Sequence, residues 1–239
     1  MKTALVTGSS RGIGRAIAVR LAADGYKVIL HASRPSEKLQ ETKALIEQKG
    51  GKVEVVTADL CDAEQTKTLP AEVDILVLNA SVQYRTPWEQ ITPAQCHDQL
   101  VCNLVSSMLL MQKAVPHMRQ NGWGRIITIG SVQEAKPHPD MLIYSASKAA
   151  QTNMVRSLSL QLAADGITVN NVAPGVIYTD RNVEALSDAE YAAKVTASIP
   201  VGFYGEPEDC AGIVSFLCSE ESRYVTGQNI FVDGGKSVQ

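Results

Sequence analysis

Short apolar runs alternate with longer amphipathic segments along the chain, in which 45% of the 239 residues are hydrophobic. The short runs are rich in valine, isoleucine and leucine, as expected of buried β-strands, whereas the longer segments repeat apolar residues three and four positions apart, as helices do. Predicted strands span residues 4–7, 28–31, 53–58, 74–78, 125–130, 168–172 and 229–232, and predicted helices span 15–23, 37–49, 100–119, 144–164 and 209–217. Apolar strands that alternate with helices predict the α/β class, with a doubly wound parallel β-sheet flanked by helices on both faces.

The least regular part of this pattern covers residues 177–207, after the predicted strand at 168–172. In an open α/β sheet, ligands bind beyond the carboxyl ends of the strands. A long segment that leaves the sheet at this edge can close over a bound molecule. We therefore predict one domain over residues 1–239, with a candidate substrate lid at 177–207.

The distribution of charge narrows the classes of partner. The net charge is −3, and acidic and basic residues are interspersed without a basic stripe, which argues against nucleic acid. The sequence has no run of about 18 apolar residues that could cross a membrane. The first residues, MKTALVTGSSRGIG, lack the features of a signal peptide, so a cytoplasmic protein is expected.

Cysteine and histidine form no recognisable site in the sequence. The number of cysteines is odd and no pair has Cys-x-x-Cys spacing, which favours reduced thiols. The four histidines are dispersed, and no metal site is expected. The residues concerned are Cys61, Cys96, Cys102, Cys210, Cys218, His31, His97, His117 and His138.

A glycine-rich turn joins the first predicted strand to the first predicted helix. Gly8, Gly12 and Gly14 let the backbone turn tightly and approach a ligand closely. The helix that follows presents unpaired N–H groups and a partial positive charge, which suit a pyrophosphate. A plain tight connection is the alternative, but the position after the first strand favours dinucleotide binding.

The end of the second predicted strand indicates which dinucleotide binds. An acid about 20 residues beyond the turn usually binds the ribose hydroxyls of NAD. No acid occurs in His31–Arg34; Ser33 and Arg34 are present instead, and Arg11 lies in the turn itself. Two guanidinium groups and a hydroxyl suit a 2′-phosphate, although both arginines could simply be solvated. NADP(H) is therefore favoured, with NAD(H) possible.

Tyr144 and Lys148 lie four residues apart in the predicted helix at 144–164, and so share one face. The ammonium group favours the phenolate and lowers the pKa of the tyrosine, which lets it exchange a proton with a carbonyl or alcohol oxygen. Alone, this pair is more typical of an exposed helix surface. Ser131 changes the interpretation, because it follows a predicted strand at the ligand-binding edge and its hydroxyl could stabilise developing negative charge on the same oxygen.

These motifs resemble the short-chain dehydrogenase/reductase family, and the resemblance extends from end to end of the chain. The family's glycine motif, adenine-contacting pair, catalytic residues and Pro-Gly motif are all matched. The resemblance implies a Rossmann-type fold and a cofactor site formed by Thr7, Gly8, Ser10, Arg11, Gly12, Ile13, Gly14, Ser33, Arg34, Asp59, Leu60, Asn79, Ala80, Ser81, Tyr144, Lys148, Pro174, Gly175 and Thr179.

The same resemblance implies a role for each catalytic residue. Tyr144 would be the general acid/base, Ser131 would position the carbonyl, and Lys148 would hold the ribose and tune the tyrosine. Asn103 would anchor a water that links the lysine to solvent. Family members are commonly tetramers that pair their long helices, here 100–119 and 144–164, so a homo-oligomer, with a tetramer favoured, is expected.

One motif departs from the family pattern. Asn-Asn-Ala-Gly is replaced by Leu78, Asn79, Ala80 and Ser81. Glycine allows close backbone approach at this position, and serine can be accommodated where its backbone dihedrals are ordinary.

The sequence indicates the identity of the substrate less clearly than the type of reaction. Gly124–Val132 and Gly166–Gly175 resemble the 3-oxoacyl-carrier-protein reductases, but Gly122 and Asp165 replace arginines that suit an acidic carrier protein. A small ketone or secondary alcohol is therefore favoured, with the carrier-protein substrate as the alternative and a non-catalytic dinucleotide-binding redox sensor as the alternative of another class. Residues expected near the substrate are Gln83, Gln133, Met141 and Val176, together with Glu134 and Tyr178.

Overall fold

The computed structural model describes residues 1–239, apart from the side chains at positions 181, 184 and 185. Seven parallel strands form one sheet in the order β3-β2-β1-β4-β5-β6-β7. The strands are β1 (Thr3–Val6), β2 (Lys27–Ala32), β3 (Val53–Thr57), β4 (Ile75–Leu78), β5 (Gly124–Ile129), β6 (Ile167–Pro174) and β7 (Asn229–Val232). All seven predicted strands are present, and the predicted doubly wound parallel sheet is confirmed.

Helices cover both faces of the sheet. They are α1 (Gly12–Ala23), α2 (Glu37–Gln48), α3 (Ala63–Thr66), α4 (Pro93–Leu100), α5 (Ser106–Gln120), α6 (Leu142–Leu162), α7 (Asp180–Leu186), α8 (Ala189–Ala197) and α9 (Pro207–Cys218). Successive residues of a strand point to opposite faces, so Val6 packs with residues of α1 and α9, whereas Leu5 packs with residues of α5 and α6. The order of strands reverses between β1 and β4, and this is where a ligand crevice is expected.

The helix predicted at 100–119 differs from the observed one in two respects. The helical segment begins earlier, at α4, where Thr92 and Gln95 form a capping box. It also contains a π-helical turn at Val101–Val105, between α4 and α5. Such wider turns are rare and often occur at functional sites. Here the turn contains Asn103.

Residues 177–207 are more regular than their sequence pattern indicated, because they contain α7 and α8. The two ends of the segment are joined. Gly205 N–H donates to Val176 O at 2.9 Å, and Tyr178 N–H donates to Gly205 O at 2.7 Å. The segment therefore leaves the sheet after β6 and returns to the same place, where its two ends are hydrogen-bonded to each other. Its role as a lid stays a prediction.

Among the described helices, none has the length and apolar character needed to span a membrane. Within the side chains that the structure describes, His, Cys, Asp and Glu form no group of three or more that could hold a metal ion.

Candidate active site

A cavity of about 850 Å³ opens at the carboxyl ends of the strands, beside the point where the strand order reverses. Its wall contains three of the four predicted catalytic residues, namely Ser131, Tyr144 and Lys148. It also contains four residues that the sequence predicted to lie near the substrate, Gln83, Gln133, Met141 and Val176. Of the predicted cofactor residues, all line the cavity except Thr7 and Arg34.

The glycine turn has the conformation that its sequence requires. Gly8 and Gly12 have φ of +64° and +53°, values that L-residues with side chains rarely adopt. A Cβ atom at Gly14 would lie 2.3 Å from Gly8 O, so only glycine allows this close packing. The cradle therefore fits a group that needs close backbone approach, such as a pyrophosphate.

Thr7 lies behind the cavity rather than in its wall. Its Oγ1 accepts hydrogen bonds from the backbone N–H groups of Asn79 at 2.9 Å and Ala80 at 3.0 Å. The Asn79 side chain donates in return to Thr7 O at 2.9 Å and Gly8 O at 3.0 Å. Thr7 thus joins the ends of β1 and β4 and shapes the site without lining it.

The departures at positions 78 and 81 are accommodated locally. Leu78 is 2% exposed and packs in the apolar core beneath β4. No non-glycine residue in the described backbone has a positive φ, so Ser81 has ordinary backbone dihedrals. Serine can therefore replace the family's glycine at this position without backbone strain. Ser81 lines the cavity and adds a hydroxyl there.

His31 is a buried residue of the site that the sequence patterns did not identify. It lies at the end of β2, is 1% exposed, and lines the cavity. Gly8 N–H donates to His31 Nδ1 at 3.2 Å, and His31 Nε2 lies 3.0 Å from Ala58 O. An amide nitrogen only donates and a carbonyl only accepts, so the ring is neutral with its proton on Nε2. Burial lowers the pKa of His31, in keeping with this neutral form.

The cations expected near a 2′-phosphate are arranged differently from the prediction. Ser33 lines the cavity, whereas Arg34 is exposed and lies outside its wall. Arg11 Nη1 lies 3.6 Å from Asp180 Oδ2, and Lys38 forms a hydrogen bond with the same carboxylate oxygen. The Lys38 bond lowers the pKa of the Asp180 carboxyl. Lys38 is thus a second cation beside Arg11. Among the described side chains, no contact supports the predicted role of Arg34 in binding the 2′-phosphate.

Tyr144 and Lys148 lie on one face of α6, as their spacing predicted. Tyr144 is 6% exposed and Lys148 is 1% exposed. The Lys148 ammonium lies 5.8 Å from the centroid of the Tyr144 ring and donates to Ile129 O at 2.7 Å. Ser131 follows β5 directly and caps a short 3₁₀ turn, its Oγ accepting from Gln133 N–H at 3.2 Å. The three side chains therefore converge on the cavity from two adjacent elements.

Asn103 is fully buried and lies behind this group. Its side chain accepts from Val82 N–H at 2.8 Å and donates to Val82 O at 2.9 Å and Ser147 Oγ at 3.0 Å. It therefore ties the loop after β4 to α6. The water link that the resemblance implies for Asn103 stays a prediction.

Two residues expected near the substrate have other contacts. Glu134 accepts from Thr152 Oγ1 at 2.7 Å and from Asn229 Nδ2, and so anchors the loop after Ser131 to α6 and β7. Tyr178 stacks on Tyr204 with ring centroids 5.7 Å apart and does not line the cavity. Neither side chain lines the cavity, and a role for either near the substrate stays a prediction.

The position of Asp165 does not support the argument that this residue repels an acidic carrier protein. Gly122 and Asp165 lie at the starts of β5 and β6, at the opposite edge of the sheet from Tyr144. Asp165 Oδ2 also accepts from Arg119 Nε at 2.7 Å, which offsets its charge. Within one chain, Asp165 therefore neither flanks nor repels a partner at the cavity entrance.

Positively charged side chains surround the substrate end of the cavity. Arg85, Lys136 and Lys236 line it together with His138. Arg85 Nη2 lies 3.1 Å from His138 Nε2, which orients the guanidinium group. Lys236 donates to Ser198 Oγ at 2.5 Å. The acidic side chains in the described wall are Asp59 and Asp180, and the second of these pairs with Arg11 and Lys38.

Comparisons with known proteins agree with this geometry. Residues 8–237 match the family model described as enoyl-(acyl carrier protein) reductase. The chain is 37% identical to a glucose 1-dehydrogenase of Gluconobacter oxydans, over 98% of this chain and 91% of that protein.

Two solved structures resemble the chain closely. One, from Beutenbergia cavernae, is described as an NAD(P)-dependent gluconate 5-dehydrogenase with bound NADP; it has a TM-score of 0.95 and 36% identity, over 100% of this chain and 97% of that one. The other is a 3-oxoacyl-(acyl-carrier-protein) reductase from Agrobacterium tumefaciens with NADP bound; it has a TM-score of 0.91 and 38% identity, over 98% and 93% of the two chains. With its sheet, glycine turn and Ser-Tyr-Lys group, the chain therefore belongs to the short-chain dehydrogenase/reductase family of oxidoreductases.

Proposed function

We propose that this oxidoreductase interconverts a ketone and a secondary alcohol with Tyr144 as the general acid/base. The observation that carries the proposal is that Ser131, Tyr144 and Lys148 line the same cavity as the glycine turn. Tyr144 gives its phenolic proton to the carbonyl oxygen during reduction and takes a proton from the alcohol during oxidation. Ser131 donates a hydrogen bond to the same oxygen, and the Lys148 ammonium stabilises the phenolate.

NADP(H) is the proposed cofactor. Its nicotinamide supplies or accepts the hydride when it is bound. Ser33 and Arg11 line the cavity where a 2′-phosphate would bind, and Lys38 lies within reach of the same Asp180 carboxylate as Arg11. NADP in both of the related structures named above supports this assignment. NAD(H) remains the alternative cofactor and is tested by comparing the two affinities.

The substrate that the cavity favours is a small carbonyl compound with a carboxylate. Arg85 and Lys236 line the cavity and give the substrate end a positive charge, whereas the Lys136 ammonium is already hydrogen-bonded to Gln239 O. A guanidinium group recognises a carboxylate through two parallel hydrogen bonds. Sugar acids satisfy this description, in line with the gluconate 5-dehydrogenase named above.

The substrate assignment is tested with a matched pair of ketones, 5-keto-D-gluconate and its uncharged analogue L-sorbose. We expect NADPH-dependent reduction of the anion to be faster, and Arg85→Gln to reduce its kcat/KM by about 10- to 100-fold, the value of a hydrogen bond to a charged group. Reduction of L-sorbose should change little. Arg156→Gln, at an exposed arginine of α6, is the matched control. Equal losses on both ketones would remove Arg85 from carboxylate recognition.

A 3-oxoacyl group on carrier protein is the second candidate substrate. The related reductase from Agrobacterium tumefaciens supports it, and the phosphate of a pantetheine arm could also use the cationic residues. Acetoacetyl-carrier protein therefore belongs in the same panel of substrates. A kcat/KM on it far above the values for both small ketones would favour this candidate. Binding of NADPH without turnover of any of the three would favour the non-catalytic sensor.

The proposed assembly is a homo-oligomer, with a tetramer favoured. Met108 of α5 is 40% exposed and Leu160 of α6 is 86% exposed, which leaves apolar groups available on both long helices. A contiguous apolar patch formed by two such helices would be typical of an interface. Light scattering coupled to size-exclusion chromatography measures the mass directly, and a monomer at micromolar concentration would contradict the proposal.

The five cysteines are free thiols, which suits the reducing cytoplasm proposed as the site of action. Cys102, Cys210 and Cys218 are buried. Detection of the protein in a periplasmic or secreted fraction of its native cells would contradict this location.

A further inference from the structure

A buried chain of polar groups runs from the catalytic lysine into the packing between α5 and α6. Lys148 Nζ donates to Gln151 Oε1 at 3.2 Å, and Gln151 Nε2 donates to Ser107 Oγ at 3.1 Å. Ser107 Oγ donates to the main-chain oxygen of Asn103 at 3.1 Å. The three side chains are between 1% and 3% exposed. The chain therefore joins the ammonium group, through Gln151 and Ser107, to the backbone of the π-helical turn.

Gln151 occupies a position that the packing of two helices would otherwise fill with an apolar residue. A buried amide costs free energy unless both of its ends form hydrogen bonds, and both ends of Gln151 do so. The bond that it accepts comes from a charged donor, which makes that bond stronger than one between neutral groups. A buried ammonium group has the same requirement for partners, and Gln151 supplies it with a side-chain acceptor beside the main-chain acceptor Ile129 O.

The chemistry of an amide limits what this chain can do. Gln151 accepts at oxygen and donates from nitrogen, and it could pass a proton onward only through an unstable imidic-acid form. The chain therefore does not replenish the proton that Tyr144 gives away. Its effect is to hold the ammonium at a fixed distance from the phenol and to keep it charged.

We propose that Gln151 is a positioning residue that holds the Lys148 ammonium beside Tyr144 and fixes it, through Ser107, to the turn that carries Asn103. Its catalytic consequence rests on the proposed role of Tyr144 as acid/base. Gln151 contacts the wall residue Lys148 but does not itself line the cavity. It acts through the charge and placement of the lysine.

The test replaces Gln151 with glutamate and with leucine in the full-length protein. The Lys148 ammonium lies 5.8 Å from the centroid of the Tyr144 ring and 3.2 Å from Gln151 Oε1, so a carboxylate at position 151 lies within roughly 9 Å of that centroid. We expect Gln151→Glu to raise the pH midpoint of phenol ionisation by about one unit, because it offsets the field of the ammonium. Gln151→Leu removes one acceptor from the ammonium, and we expect kcat to fall about tenfold.

Two readouts keep this proposal separate from the proposed function. The first is the ultraviolet titration of the Tyr144 phenol, taken as the difference between each protein and its Tyr144→Phe counterpart, which needs no turnover. The second is the pH profile of kcat/KM with whichever ketone of the panel reacts fastest. A shifted titration without turnover of any ketone would contradict the proposed function and support the positioning role.

A purely structural role is excluded by a chemically matched control. Gln99, on α4, is 2% exposed and is also hydrogen-bonded at both ends, but its partners are Tyr84 N–H and Gln95 O rather than Lys148. Gln99→Leu should lower the melting temperature about as much as Gln151→Leu and leave the pH midpoint of Tyr144 unchanged. The proposal is overturned when both Gln151 variants lower the melting temperature but keep the wild-type phenol titration and kcat.

Discussion

Mild acid should destabilise this protein through His31, a group that neither accepts nor donates a proton in the proposed reaction. The ring is neutral, accepts from Gly8 N–H at 3.2 Å, and donates to Ala58 O. Protonation would place a second N–H group against Gly8 N–H and leave a charge at a site that is 1% exposed. The charged side chain of the adjacent loop, Asp59, favours protonation but is outweighed by burial, so the pKa of His31 is lowered.

The direction and size of the effect follow from linkage. The pKa of His31 in the folded protein lies below its usual value of about 6.5, so the unfolded chain binds the proton first as the pH falls. The free energy of unfolding therefore decreases from about pH 6.5 downward, by up to about 1.4 kcal/mol per pH unit, until the folded-state pKa is reached. Above about pH 7 the term vanishes because the ring is neutral in both states.

The assay compares urea unfolding of the wild type and His31→Asn between pH 7.5 and pH 5.5. The Asn side-chain oxygen can take the place of Nδ1 as acceptor for Gly8 N–H, and it does not titrate. We expect the free energies of unfolding of the two proteins to diverge by up to about 1.4 kcal/mol across this range, with the wild type losing more as the pH falls. His97→Asn, at an exposed histidine, should follow the wild type. Parallel curves for the wild type and His31→Asn would refute the reasoning.

Four further substitutions test other parts of the site. Tyr144→Phe should reduce kcat by about 10³-fold or more while the NADPH dissociation constant, measured by fluorescence, stays nearly unchanged; substantial residual turnover would remove Tyr144 as the acid/base. Lys38→Ala should weaken the binding of NADPH by about tenfold and change the binding of NADH little. Arg34→Ala should weaken NADPH binding less, because Lys38, and not Arg34, contacts the Asp180 carboxylate that Arg11 approaches. Equal weakening of NADPH and NADH binding by each variant would contradict the 2′-phosphate assignment. Gly14→Ala should abolish cofactor binding and lower the melting temperature, because its Cβ would lie 2.3 Å from a backbone oxygen; wild-type behaviour in both measurements would contradict the packing argument.

Features that depend on local spacing were predictable from the sequence. Tyr144 and Lys148 share a face because four residues make about one helical turn. The strands were predicted to within a few residues because each is a nearly continuous apolar run between two helices. The glycine turn followed from its position between β1 and α1. In each case the determining neighbours lie close together along the chain.

Features that depend on distant partners were not predictable. The partners of Glu134 come from α6 and β7, and those of Asp180 come from the glycine turn and α2. No local pattern in the sequence brings these groups together. The π-helical turn at 101–105 is similar, because it accompanies the burial of Asn103 against the loop after β4 rather than any helix-breaking residue within the turn.

The polar residues of the site therefore form two groups with different sequence signals. Those in the cavity wall, such as Ser131 and Tyr144, were recognised from their chemical type and their place after a strand or in a helix. Those behind the wall, such as Gln151 and Thr7, are 1% exposed and each joins two elements. Because their contacts fix where the wall residues stand, exchange of one alone leaves a buried partner unsatisfied and costs about 1–3 kcal/mol. Specificity can thus be altered at the wall, at Arg85 for example, with less loss of stability than at the residues that support it.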